Sequence, residues 1–251
     1  MYSAEKLSII IPVYNESATL EELLKQVVAA PLSIEREIII VDDGSQDASA
    51  DITRKFIDQH PECSIKLLCR SNGGKGAAVR DGFAASSGSI VIIQDADLEY
   101  DPAEYERCIE PILKNRAQVV YGSRERKKEN GCSDWRFYLG GLLVTWFINI
   151  LFNARLTDEP TCYKTFRGDL IRALEFESND FGWEPEVTCK LLRLGYNIAE
   201  CAISYHPRTF DKGKKIRARD GLKALLISLK WRFAGIKKIC HLAKSVYITG
   251  K

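Results

Sequence analysis

The sequence predicts an α/β fold: one Rossmann-like domain with a mostly parallel sheet, followed by a basic amphipathic helical tail. Three observations lead there. Apolar runs of four to seven residues alternate with segments of helical period. Each run ends in a polar or glycine-rich stretch. No internal repeat or linker-like segment interrupts the alternation. Strands joined through helical crossovers pair in parallel, and such sheets bind ligands beyond the carboxyl ends of their strands.

The elements follow in order. Leu7 to Val13 (LSIIIPV) is a mostly apolar run and reads as a buried strand. Ser17 to Ala30 places Leu20, Leu23, Leu24, Val27 and Val28 at helical spacing, with Ser17 or Thr19 as its cap and Glu21 and Glu22 in the dipole-favoured first turn. Glu37 to Val41 is a second strand, closed by Asp42-Asp43-Gly44-Ser45; Ala48 to Gln59 is helical. Ile65 to Cys69 is a third strand, leading through the glycine-rich Ser71 to Gly76 into a short helix, Ala77 to Ala85. Ser89 to Gln94 is a fourth strand that ends at Asp95-Ala96-Asp97. Pro102 to Lys114 is a helix capped by Asp101, and Gln118 to Gly122 is a fifth strand. Beyond Arg124 the pattern weakens. Residues 126–132 read as a loop, Trp135 to Phe152 as one apolar helix or two, and Thr157 to Arg167 as irregular. Asp169 to Leu174 and Pro185 to Leu194 read as helices, and Asn197 to Ser204 as a weak strand. The division is one main domain over 1–211, with halves 1–125 and 126–211, and a basic tail over 212–251.

Composition limits the function. Pro and Gly together number 25 of 251 residues, which excludes collagen-like and low-complexity chains. A net charge of +2 excludes a polycation built for nucleic acid. The charge is unevenly spread. Lys212 to Lys244 holds eleven Lys and Arg against one acid, Asp220, which points to an anionic partner at that end. Eight Cys form no CxxC pair, so no zinc site is expected, and scattered thiols suit a reducing cytosol. Met1 to Lys6 lacks signal-peptide features. The longest apolar stretches are short: Gly140 to Phe152 holds thirteen residues without a charge, fewer than the roughly 20 that span a bilayer. The chain is expected to be soluble or to lie on a membrane.

The chemistry sits at the strand ends. Asp95 and Asp97 are two carboxylates one residue apart at a strand-to-loop transition. They can converge on one Mg²⁺ or Mn²⁺ that bridges to a diphosphate, with Glu99 as a third oxygen. The alternative is a pair of turn-forming aspartates. One of Asp42 and Asp43 can accept hydrogen bonds from a base or ribose, or simply shape an Asx-turn. Asn72-Gly73-Gly74-Lys75-Gly76 permits close backbone approach and offers a point charge, but it is not GxxxxGK[ST].

The motifs Ile10-Ile11-Pro12-Val13-Tyr14-Asn15-Glu16, Val41 to Ser45, Gly74-Lys75-Gly76 and Asp95-Ala96-Asp97-Leu98 stand in the order seen in family 2 glycosyltransferases of the GT-A fold, which this chain resembles over residues 7 to about 232. Gly122-Ser123-Arg124, Leu156-Thr157-Asp158, Thr161-Cys162-Tyr163-Lys164, Glu184-Pro185-Glu186, Ile203-Ser204-Tyr205 and Pro207-Arg208 look like the polyprenyl-phosphate members, such as dolichyl-phosphate mannosyltransferases. The resemblance implies inverting transfer of a hexose from a nucleoside-diphosphate sugar, GDP-mannose or UDP-glucose, to a polyprenyl phosphate. It implies that Pro12, Tyr14, Glu16, Asp42 or Asp43, and Lys75 hold the donor, with Asp95, Asp97 and Glu99 on the metal. Arg124, Arg136 and Arg208 would contact phosphates, and Lys214 and Lys215 would belong to a mobile basic segment. Arg136, between Trp135 and Phe137, could instead be cation–π paired. Two positions depart from the family: Glu99 stands where Gln or Ser is common, and Gly140 where Ser is common.

A phosphate monoester acceptor is already anionic at neutral pH and needs no general base, only cations to bind and align it. A saccharide hydroxyl acceptor, the second enzyme reading, would need Asp158, Glu184 or Glu186 as a base. A third reading is a non-enzymatic anion-binding module using the tail. Leu222, Leu225, Leu226, Leu229, Trp231 and Phe233 among basic residues resemble an interfacial helix, so the chain is expected on the cytosolic membrane face. A membrane-anchored partner subunit is left open.

Overall fold

A computed structural model describes residues 5–127, 129–131, 135–208 and 218–235. Seven strands form one sheet: β1 (Lys6–Val13), β2 (Glu35–Asp42), β3 (Ile65–Cys69), β4 (Ile90–Ile93), β5 (Val119–Ser123), β6 (Lys164–Arg167) and β7 (Ile198–Ala202). Their order is β3-β2-β1-β4-β6-β5-β7. Pairing is parallel throughout except at β6, which runs antiparallel to both β4 and β5. The sheet is therefore mostly parallel, and six strands point their carboxyl ends the same way.

The helices are α1 (Leu20–Ala29), α2 (Ser49–Gln59), α3 (Lys75–Ala85), α4 (Tyr105–Leu113), α5 (Trp135–Phe152), α6 (Gly168–Ala173), α7 (Trp183–Arg193) and α8 (Ala218–Phe233), with a 3₁₀ turn at Pro102–Glu104 before α4. Leu7, Ile9, Ile10 and Ile11 of β1 and all four residues of β4 are fully buried. That burial explains why these strands read as unbroken apolar runs rather than alternating ones.

Three expectations change. Residues 157–167 do not stay irregular: β6 ends that stretch, inserted at the sheet's centre. It is four residues long and begins with Lys164 and Thr165, so it carries no apolar period. Lys164 tolerates complete burial because its ammonium donates to Glu159 O and lies 4.0 Å from the Tyr121 ring centre. At α1, neither Ser17 nor Thr19 caps the helix through its side chain. Thr19 Oγ1 donates instead to Ala96 O at 2.7 Å, tying α1 to the loop after β4. Asp101 does cap its turn, accepting from Ala103 N at 2.9 Å. Finally, Trp135 to Phe152 is one helix of 18 residues. At a mean hydropathy of 1.3 it is long and apolar enough to cross a membrane, by length and composition.

α8, inside the segment set apart as a tail, packs against α5 and α7. Trp231 is buried under Lys190, whose ammonium lies 3.8 Å from the indole centre. Arg193 closes the helix end by donating to the carbonyls of Trp231, Arg232 and Ala234, groups that no intrahelical N–H reaches.

Candidate active site

The five anticipated strand ends open into one cavity of about 1560 Å³. Pro12, Tyr14 and Glu16 follow β1, and Asp43 follows β2. Lys75 starts α3 after β3, and Asp95, Asp97 and Glu99 follow β4. Arg124 follows β5 and Arg208 lies beyond β7. Arg136 joins them from the first turn of α5. Asp42 does not line the cavity, and Lys214 and Lys215 lie outside the described residues.

Two cations pair with the acidic residues, each shared with a further carboxylate. Lys75 Nζ sits 2.9 Å from Asp95 Oδ1 and 3.1 Å from Glu184 Oε1, with the Phe181 ring centre at 5.5 Å. Burial disfavours its charge, yet Asp95 and Glu184 hold the Lys75 ammonium well above the usual lysine range. Arg208 bridges Glu16 Oε2 at 3.1 Å and Asp97 Oδ2 at 2.9 Å. Even so, burial together with the negative neighbours Asp95 and Glu99 pushes the Asp97 carboxyl up to about 7. The intervening Leu98 adopts φ 60, a left-handed conformation costly for a bulky side chain. A strained turn thus presents two carboxylates with excess negative charge. That donor set suits a hard divalent cation. Among the described residues no three acidic, His or Cys groups converge on one point, so diphosphate oxygens and water would complete the coordination.

Glu99 has other partners here. Its Oε1 accepts from Arg208 N at 2.8 Å and its Oε2 from Tyr205 Oη at 3.0 Å, while its carbonyl accepts from His206 N at 2.9 Å. It fastens the segment after β7 to the loop after β4.

The Asp42–Asp43 alternative divides. Asp43 accepts from Gly73 N at 2.9 Å and Gly74 N at 2.7 Å and pairs with Arg70, so it shapes the glycine loop and faces the cavity. Asp42 Oδ2 accepts from Ser45 N at 3.2 Å, while its Oδ1 is buried with no partner among the described residues. Gly74 needs its hydrogen side chain: φ is +97, and a Cβ would stand 2.6 Å from Asn179 O.

Arg124 is gripped by Asp158. Oδ2 accepts from Arg124 N at 2.9 Å and Nε at 2.7 Å, and Oδ1 from Nη2 at 2.7 Å. Burial alone would raise the Asp158 carboxyl, but the Arg124 charge and these bonds hold it below its usual range. The guanidinium also lies 5.0 Å from the Tyr205 ring centre. Arg136 does meet Trp135, at 5.6 Å from its ring centre, while still lining the cavity. The cavity then runs between α5 and α8, where Gly140, Gly141, Val144, Leu222, Ala224 and Leu225 form its wall.

Sequence reasoning did not assign Phe181, Asp180 or the Lys75–Glu184 pair to the cavity. Lys75 and Glu184 were each singled out, but not as partners, because the pair spans 109 residues.

A parallel sheet with a carboxylate pair after β4 and a cavity over the strand ends defines a GT-A-type glycosyltransferase fold. Known proteins bear this out. Residues 8–180 match glycosyl transferase family 2, and the chain belongs to that family. An undecaprenyl-phosphate 4-deoxy-4-formamido-L-arabinose transferase of Serratia proteamaculans is 43% identical over 90% of this chain and 77% of its own length. The Pseudomonas aeruginosa protein of the same description is 36% identical over 57% of this chain. The chain spans less than half, 42%, of that relative's length. A dolichyl-phosphate beta-glucosyltransferase of Dictyostelium discoideum is 28% identical over 79% of this chain and 66% of its own length. Among solved structures, glucosyl-3-phosphoglycerate synthase from Mycobacterium tuberculosis, in complex with Mn²⁺, UDP-glucose and phosphoglyceric acid, superposes with a TM-score of 0.68 at 20% identity. It covers 88% of this chain and 79% of its own.

Proposed function

We propose that this chain transfers a sugar from a nucleoside-diphosphate donor to a polyprenyl phosphate at a membrane surface, with inversion at the anomeric carbon. The observation that carries this reading is the reach of one cavity. Its lining combines Asp95 and Asp97, the cations Arg124 and Arg136, and an apolar wall from α5 and α8. That combination of chemistries suits a diphosphate, a phosphate and a hydrocarbon chain. The relatives named for polyprenyl phosphate substrates support it.

The acceptor phosphate oxygen attacks the anomeric carbon as the bond to the diphosphate breaks. Arg124 and Arg136 bind and align the acceptor. Mg²⁺ or Mn²⁺ held by Asp95 and Asp97 would neutralise charge developing on the departing diphosphate. Glu99 can join them only once its oxygens leave Tyr205 and Arg208. Lys75 and Arg208 exchange carboxylate partners for diphosphate oxygens as the donor enters. Pro12, Tyr14, Glu16 and Asp43 form the donor side.

A saccharide hydroxyl acceptor has less support, because each candidate base is engaged. Asp158 is locked to Arg124, and Glu184 pairs with Lys75. Glu186 is held below its usual range against the cost of its burial by Lys190 at 2.7 Å and by Ser178 and Glu177.

The membrane reading rests on exposed apolar faces. Trp135, Leu139, Leu143, Trp146 and Ile150 of α5 are at least 51% exposed, and Leu222, Leu226, Leu229 and Phe233 of α8 at least 38%. Arg232 of α8 supplies charge for anionic headgroups, while Lys223 and Lys230 pair with Asp180 and Glu177.

Titration calorimetry with Mn²⁺ tests the donor side, comparing UDP-glucose, GDP-mannose and UDP-N-acetylglucosamine. A uridine donor is first, since the structural neighbours were crystallised with UDP. Transfer to undecaprenyl or dolichyl phosphate, detected as a radiolabelled lipid, supports the reading. Transfer to a saccharide but to no lipid phosphate overturns it.

A further inference from the structure

Residues 153–163 connect α5 to β6 without regular secondary structure. A segment of this kind has no ladder to satisfy its backbone N–H groups, so its position depends on side-chain acceptors from its surroundings. The acceptors can be named. Asn149 of α5 takes Leu156 N at 2.9 Å and donates to Leu156 O at 2.7 Å. Thr145 of the same helix takes Glu159 N at 3.0 Å. Between these, both N–H groups are taken by one side chain. Glu200 Oε1 accepts from Thr157 N at 2.8 Å and from Asp158 N at 3.1 Å.

Glu200 comes from β7, at the edge of the sheet, and does not line the cavity. Its side chain is nevertheless only 2% exposed. Its second oxygen accepts from Thr157 Oγ1 at 2.9 Å and pairs with Arg126 Nη2 at 3.1 Å. With its proton given to Glu200, Thr157 Oγ1 accepts from Ser123 Oγ at 2.6 Å, the last residue of β5. Four donors thus converge on the two oxygens of one side chain, two of them backbone N–H groups on a single oxygen. The next residue along, Asp158, orients Arg124 through three bonds.

We infer that Glu200 is a positioning residue for the acceptor-phosphate arginine, acting through the backbone of Thr157 and Asp158. It fixes the loop, the loop fixes Asp158, and Asp158 presents the Arg124 guanidinium to the cavity. The edge strand thereby sets the register between the phosphate-binding cation and the carboxylates after β4. The assignment rests on the proposed role of Arg124 toward a polyprenyl phosphate, so its test has one arm that needs no acceptor.

In the first arm, amide hydrogen exchange is compared among wild type, Glu200→Ala and Glu200→Gln. Exchange at Thr157 and Asp158 should accelerate about tenfold or more in E200A. It should stay near wild type in E200Q, whose amide oxygen still accepts both N–H groups. In the second arm, KM for polyprenyl phosphate should rise about tenfold in E200A, with Mn²⁺–UDP binding by calorimetry within about twofold of wild type. E200Q should recover most of the loss. If E200A does not fold, Glu200→Asp, shorter by one methylene, is measured in its place. Unchanged exchange at 157 and 158 overturns the inference. So does a parallel loss of donor and acceptor affinity in E200A and E200Q with a matching fall in Tm, which marks a merely structural residue. If the wild type uses no polyprenyl phosphate, the acceptor reading fails, and the exchange arm alone decides whether Glu200 holds the loop.

Discussion

Buried carboxylates lie at both ends of the parallel sheet, and they are treated in opposite ways. At the amino ends, Glu37 accepts from Ser8 Oγ at 2.6 Å, Ser87 N at 2.7 Å and Gly88 N at 3.1 Å, with Lys6 and Lys66 at 3.6 and 3.5 Å. Burial would raise its pKa, but the serine bonds and Lys6 hold it at about 2. At the carboxyl ends, Asp97 has Arg208 and one backbone N–H, from Glu99 at 3.2 Å, against two acidic neighbours, and it rises to about 7. The same functional group in the same sheet is saturated at one end and under-neutralised at the other. The saturated end holds the strands together. The under-neutralised end keeps an appetite for positive charge, which marks it as the site for chemistry.

The comparison can be broken most sharply at Asp97. Asp97→Asn should lower transfer by about 10²–10³-fold or more, without lowering the Tm of the metal-free protein, because it removes like-charge repulsion. Steady-state kinetics beside a thermal melt would show this, and a loss of Tm parallel to activity would contradict it. Glu37→Gln should do the reverse. Turnover of the folded enzyme stays unchanged, while denaturant unfolding at pH 7 shows a loss of roughly 2–3 kcal/mol.

The pH dependences should have opposite signs. Glu37 has a folded pKa near 2, below its ordinary 4.5. Its stabilisation is complete above about pH 4.5 and is lost as pH falls toward about 2. Asp97 has a folded pKa near 7, above its ordinary 3.8. Its contribution is complete below about pH 4 and is lost as pH rises toward about 7. Difference curves of E37Q and D97N against wild type, measured without metal, would separate the two; curves of the same sign would refute the contrast. The smallest effect is expected away from both ends. Trp146→Ser on the exposed face of α5 should weaken partitioning onto anionic vesicles about tenfold, with Tm unchanged, as sedimentation with liposomes would report.

Much of this was legible in advance, and the failures have physical causes. β4 and the central isoleucine runs of β1 and β2 are apolar because they are covered on both faces, so local composition reported them directly. β6 escaped because it is short and opens on the buried polar residues Lys164 and Thr165, the first of them met by Glu159 and Tyr121 from elsewhere, leaving no apolar pattern. The pairing of Asp95 with Asp97 was visible at a spacing of two. The commitment of Glu99 to Tyr205 and Arg208 was not, since those partners are more than a hundred residues away. Asp42 and Asp43 were indistinguishable by type, and only the position of the glycine loop assigned the second to the cavity.

By itself the sequence determined the parallel alternation of strands and helices, the polar strand ends and the family, because each is written in local period or in contiguous motifs. The tertiary structure alone decided which charge meets which: Arg208 with Asp97, Lys75 with Glu184, Glu200 with the loop that carries Asp158. It also decided that α8 packs onto α5 and that their outward faces stay apolar. Periodicity tells which face of an element is buried, but not what buries it. The electrostatics of a site depend on that second fact, because a carboxylate's pKa is set by the groups that topology brings within a few ångströms.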